Sequence, residues 1–270
     1  MLIYACVSAH GFGHGSRIAS VLNALHRLRP QWRLVLSTAL PEAFLRSALG
    51  PVPFEHRPCR WDVGVVQADA LGADAGATLA ALTALEAELP AQLAAEQAWL
   101  AAQAMPLLVL ADVPPAAAAL ARGLGAPLIW LASFGWEAIY GAMGAAFSPW
   151  AARCLAAYRQ GDLLLHCPLA MPIDWGIPEL AIGLTAGSPR LEPGSLARQL
   201  QLPDERDRCV LVSFGGLGYD LDPQLLQLWP DHVFVSPDPR LATAANCRLL
   251  PAGVRPLEVF GHCARLITKP

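Results

Sequence analysis

Charge is scarce in this sequence. Lys and Arg number 19 and Asp and Glu 22, together 15% of 270 residues, for a formal net charge of -3. No basic run stands out, so the electrostatic footprint of a nucleic-acid partner is missing. The seven cysteines include no CxxC pair and are odd in number, which argues against both a zinc site and a disulfide framework. Cys6, Cys59, Cys154, Cys167, Cys209, Cys247 and Cys263 read instead as reduced packing residues of a cytoplasmic protein. The longest uncharged stretches, 123–136 and 138–152, fall short of a membrane-spanning helix and contain proline or several glycines. No transmembrane segment is expected, and the N-terminus lacks the charged region and cleavage site of a secretion signal.

Hydrophobic residues, by contrast, make up 54% of the chain, which excludes disorder and leaves ample material for a core. Apolar runs alternate with helical patterns. "LIYACVS" (2–8), "WRLVLST" (32–38), "PLLVLAD" (106–112), "APLIWLAS" (126–133) and the run ending in "DLLLHC" (162–167) read as buried strands. Between them, 16–28 places Ile18, Val21, Leu22, Leu25 and Leu28 on one helical face. The stretch 75–103 suggests one or two surface helices broken at Pro90, and further helices are expected over 115–124 and from Trp136 onward. Continuous apolar strands alternating with helices predict a parallel sheet covered on both faces.

The proline- and glycine-rich segment "LTAGSPRLEPG" (184–194) looks like an interdomain connection, and a new start follows it. "CVLVSFGGLG" (209–218) is a strand running into a second glycine-rich turn, with short strands at 232–236, 247–250 and 264–268. The expected architecture is α/β: two Rossmann-like parallel-sheet domains, 1–185 and 186–270, the second one incomplete.

Ligands in open parallel sheets sit beyond the carboxyl ends of the strands, which is where "AHGFGHGSR" (9–17) follows the first strand. Gly11 and Gly13 fit the start of a dinucleotide fingerprint, but the third position is Ser16. The second strand ends in Ser37 and Thr38 with no acidic residue for a ribose, so an NAD site is rejected. His10 and His14 are four apart among glycines, without an evident third metal ligand. His14, just before the expected helix, could accept a proton from a bound hydroxyl or simply hydrogen-bond the turn. Asp112 ends a buried strand; it could cap the following helix, orient a histidine of the first loop, or do both.

Ser213, Gly215 and Gly216 could hold phosphate oxygens through hydroxyl and backbone donors, or form an ordinary tight turn. Gln67 and Asp69 interrupt an apolar stretch and read as a surface loop or acceptor contact. Trp136, Tyr140, Phe147 and Trp150 suit core packing better than a sugar-stacking patch.

The combination "GFGHGSR", "VVQADAL", "ADVPPAAAALARGLGAPLIWLASFGWEAIY" and "VSFGG" resembles the glycosyltransferase-like region that precedes the kinase domain in plant L-arabinokinases and occurs alone in bacteria. That region belongs to the GT-B superfamily, with the UDP-dependent glycosyltransferases. The resemblance covers nearly the whole chain. It implies two Rossmann-like domains facing each other across a cleft, the N-terminal one for the acceptor and the C-terminal one for the nucleotide-sugar donor. Many UDP-glycosyltransferases use a histidine in the first loop partnered by an aspartate well downstream, and His14 and Asp112 occupy matching places. His10, Gly11, Gly13, Arg17, Gln67 and Asp69 would then line the acceptor side, and Ser213, Gly215 and Gly216 the donor diphosphate.

The expected reaction is sugar transfer from a nucleoside-diphosphate sugar, UDP-linked by the resemblance, to a hydroxyl of a small-molecule or lipid-linked acceptor. It needs no metal and no further cofactor where helix ends supply the positive field. The chain ends at "LITKP", where relatives continue through about half of the second domain, and no kinase phosphate loop is present. The alternative is therefore a non-catalytic sugar or nucleotide-sugar binding module; a nucleotide-sugar epimerase shares the architecture and is less favoured.

Overall fold

The computed structural model describes residues 1–68, 72–215 and 220–268. It divides into two compact units, Met1–Val66 with Ala73–Ala186, and Gln67–Gly72 with Gly187–Pro270. Asp69 and Gly216 lie outside the described residues.

The first unit is wound as β1 (Leu2–Val7), α1 (Phe12–Leu28), β2 (Arg33–Ser37), α2 (Glu42–Leu49), β3 (Glu55–Arg57), α3 (Ala75–Ala101), β4 (Leu107–Asp112), α4 (Ala117–Leu124), β5 (Leu128–Ala132), α5 (Trp136–Ala142), α6 (Ser148–Tyr158), β6 (Leu163–His166) and β7 (Glu179–Ala181). Its seven strands are all parallel, in the order β3-β2-β1-β4-β5-β6-β7. Every residue of β1 is buried, because alternate side chains enter two separate cores. Ile3, Ala5 and Val7 pack with Ile18 and Leu22 of α1 and Leu45 of α2. Leu2, Tyr4 and Cys6 pack on the other face with Leu82 and Leu100 of α3, Leu120 of α4 and Tyr158 of α6.

Four local outcomes differ from the sequence reading. The glycine-rich segment is mostly helix: α1 starts at Phe12, so Gly13, His14, Gly15 and Arg17 lie in its first turns. Gly11 makes the break with φ +78, and Gly15 lets α1 approach α2, since a Cβ there would lie 2.5 Å from the Phe44 ring. Next, 75–101 forms one helix across Pro90. Both Pro90 and Glu86 are exposed, so the carbonyl that loses its amide partner can be hydrated. Also, β3 and β7 are three-residue edge strands, the first wholly polar, too short to show alternation. Leu28, placed on the apolar face by its spacing, is 69% exposed at the end of α1.

In the second unit α7 (Ser195–Gln199) precedes β8 (Cys209–Val212), β9 (Val233–Ser236), β10 (Cys247–Leu249) and β11 (Arg265–Ile267). These strands are parallel, in the order β10-β9-β8-β11. Val210 and Val212 face a core with Phe234 and Leu226, while Leu211 faces another with Leu196 and Val259. All seven cysteines are free, six of them buried. No helix among the described residues is long and apolar enough to cross a membrane.

Candidate functional site

In the first sheet the winding direction reverses between β1 and β4. Chains leaving these two neighbouring strands diverge to opposite faces and leave a crevice at their carboxyl ends. His14 is carried there by the first turn of α1 and Asp112 by the last residue of β4. Nδ1 of His14 lies 2.8 Å from Oδ1 of Asp112. The carboxylate favours a proton on Nδ1, which leaves Nε2 as the basic nitrogen. No hydrogen bond engages Nε2 among the described residues, and the side chain retains 7% exposure.

Arg17, one turn further along α1, completes the cluster. Its Nε donates to Asp112 Oδ2 at 2.7 Å and its Nη2 donates to Asp112 Oδ1. Nη1 donates to the Ser133 hydroxyl beyond β5 at 2.5 Å, and Nη2 also lies 3.3 Å from His14 Nδ1. Burial of Asp112 alone would raise its carboxyl pKa. The Arg17 hydrogen bonds and charge, helped by His14, outweigh it and hold the group below the ordinary carboxylate range. Both carboxylate oxygens are therefore occupied by Arg17 and His14. The helix-cap role is not taken up, because α4 begins at Ala117 with no side-chain cap.

Around the imidazole stand Phe134, edge-on at 5.6 Å between ring centroids, and Trp136 at 6.2 Å. His10 lies edge-on to Trp136 at 5.3 Å, and its Nδ1 accepts from the Val65 amide at 3.3 Å. Gly64 is required beneath it: φ is +66, and a Cβ would fall 2.5 Å from the His10 ring. Gly11 and Gly13 face open space, where a Cβ would meet nothing within 4 Å.

The sequence reading missed Asp62, a buried carboxyl close to this cluster. Its Oδ1 accepts from Ser8 at 3.0 Å and its Oδ2 from the Trp136 indole at 2.8 Å. Burial raises its carboxyl pKa, Asp112 adds to the rise, and His14, Ser8 and Trp136 oppose it. The available signal was one acidic residue among Trp61, Val63 and Val65. Ser133 gave no comparable signal, since only the fold brings it to Arg17.

Ser213 and Gly215 belong to the second unit and follow β8, beside which that sheet also reverses, between β8 and β11. The Ser213 amide donates to the Ile267 carbonyl at 3.0 Å. Gly215 is exposed with φ +75. Gln67 is half-buried and groups with the second unit.

Comparison with protein-family models gave no match, and neither did comparison with curated proteins. Solved structures do resemble the chain. A UDP-glucosyltransferase from Polygonum tinctorium capable of glucosylating indoxyl is 14% identical, with TM-score 0.63 over 99% of this chain and 74% of that one. A UDP-glucose:anthocyanidin 3-O-glucosyltransferase in complex with UDP is 12% identical, with TM-score 0.62 over 98% and 76%. A putative UDP-N-acetylglucosamine 2-epimerase from Listeria monocytogenes is 11% identical, with TM-score 0.54 over 100% and 74%. The chain thus spans about three quarters of these neighbours and has a GT-B-like α/β fold built on parallel sheets.

Proposed function

We propose that this protein transfers a sugar from a nucleoside-diphosphate donor, UDP-linked, to an acceptor hydroxyl, with His14 as the general base. The observation that carries the reading is the His14–Asp112 contact at the first sheet's reversal point, with Nε2 of the imidazole unengaged among the described residues. Nε2 takes the proton of the acceptor hydroxyl, and the oxygen forms a bond to the anomeric carbon. The bond from that carbon to the diphosphate oxygen breaks, and the nucleoside diphosphate departs with the electron pair. Asp112 holds the imidazole in the productive tautomer and stabilises its protonated form. Arg17 keeps Asp112 an anion despite its burial.

The Ser213 hydroxyl and the backbone around Gly215 are the groups assigned to the donor diphosphate, where hydrogen-bond donors would offset the charge building on the leaving group. The acceptor is a small-molecule or lipid-linked hydroxyl, and the protein works in the cytoplasm without nucleic acid. Its motif set resembles that of the glycosyltransferase-like region of plant L-arabinokinases and their bacterial relatives.

The test is release of UDP from a panel of UDP-sugars by the full chain in the presence of hydroxylated acceptors. Turnover that falls ~100-fold in His14→Ala supports the assignment. An unchanged rate removes His14 from the role.

A further inference from the structure

The first unit contains a cavity of about 190 Å3 between α3 and α6. Leu82 and Leu85 of α3, Cys154 of α6, and the rings of Trp61, Trp136 and Tyr140 form its walls. The Glu86–Arg153 ion pair, with both side chains more than half exposed, marks its watery side. Apolar cavities of about 150 Å3 take up benzene, so the space here accommodates one aromatic ring with a substituent.

Apart from Glu86 at the exposed side, one carboxyl, Asp62, interrupts the apolar lining. Asp62 is 8% exposed and bonded by two neutral donors, Ser8 and Trp136, one on each oxygen. Each oxygen of a carboxylate accepts more than one hydrogen bond, so acceptor capacity remains. Among the described residues no lysine or arginine pairs with it. A buried carboxyl in this state gains strongly from another donor.

We infer that this cavity binds a compact aromatic molecule carrying one polar hydrogen, a phenol or an aromatic amine, with that hydrogen donated to Asp62. Trp136 and Tyr140, themselves stacked at 5.9 Å, give the ligand's ring an aromatic wall. The ligand's polar hydrogen ends on Asp62 and not on His14. The cavity shares the Trp136 wall with the proposed transfer site, and Asp62 lies within electrostatic reach of His14 and Asp112.

The test uses the full chain without nucleotide sugar and four ring-matched probes: 4-methylphenol, 4-methylaniline, toluene and 4-methylanisole. Binding is read by quenching of tryptophan fluorescence and by the rise in melting temperature. The phenol and the aniline are expected to bind saturably and about tenfold more tightly than the two probes lacking a polar hydrogen. Asp62→Asn is expected to shrink that preference, and Leu85→Trp, which fills the space, to abolish binding of all four. Leu82→Phe serves as the filling variant if Leu85→Trp does not melt cooperatively. Binding is expected to persist in His14→Ala, so loss of sugar transfer there bears on the base and not on this cavity. Absence of saturable binding to the wild-type chain overturns the inference. So does equal affinity for phenol and toluene, or binding that survives a folded filling variant.

Discussion

His14 Nδ1 meets Asp112 Oδ1 at 2.8 Å although 98 residues separate them in the chain. Substituting Asp112 by Asn keeps the shape but places an amide where Arg17 and His14 both look for a carboxylate. Turnover is expected to fall ~100-fold or more, with the wrong imidazole tautomer populated. Steady-state kinetics give the rate, and nitrogen-15 NMR of the histidine ring gives the tautomer. An unaltered tautomer would separate the two residues functionally.

Arg17→Gln removes the cation that opposes the burial of Asp112. The folded-state carboxyl pKa then rises, so protonation of Asp112 sets in at higher pH. The acid limb of the pH–rate profile is expected to shift upward, with Arg17→Lys restoring part of the wild-type profile. His14 on α1, Asp62 after β3 and Cys167 after β6 also act on this group, and all three remain in the variant. A profile that only drops in height, without moving along the pH axis, counts against the electrostatic role.

A second buried carboxylate tests stability without touching the site. Glu96 accepts from Tyr4 at 2.5 Å and from Arg57 at 2.5 and 2.6 Å, and the Arg57 guanidinium sits 4.0 Å from the Trp99 ring centre. Burial raises the Glu96 carboxyl pKa, but Arg57 and Tyr4 prevail and the net shift is downward. A carboxyl lowered on folding stabilises the native state above its ordinary pKa, and that contribution disappears as pH falls through the depressed value. Arg57→Met is expected to cost about 3 kcal/mol at pH 7, and less in acid, by urea unfolding. Equal losses at both pH values would contradict the ion-pair account.

Gly64→Ala combines a left-handed backbone position with a clash against the His10 ring. A loss of about 1–3 kcal/mol is expected, again from urea midpoints. Gly13→Ala, facing open space in the first turn of α1, should cost much less.

The strands of the first sheet were legible because β1, β4 and β5 are continuous apolar runs, the pattern of a sheet covered on both faces. Pairing His14 with Asp112 needed one further step, that strand ends on one side of a parallel sheet converge. The helical start of α1 was hidden because three glycines read as a loop, whereas Gly15 is required by close packing against α2. Asp62 and Ser133 could not be placed, since each acquires its role from partners 54 to 116 residues away. The N-cap reading of Asp112 was reasonable by local sequence and lost to tertiary bonding.

The strand that supports His14 stands third from one edge of the seven and is flanked by β2 and β4, with every side chain out of reach of water. Breathing motions begin at sheet margins and at frayed ends, where few bonds must open together. Amide protons of Ile3 through Cys6 should consequently rank among the slowest to exchange with deuterium. The His14–Asp112 geometry anchored there would stay in place while the outermost strands come and go.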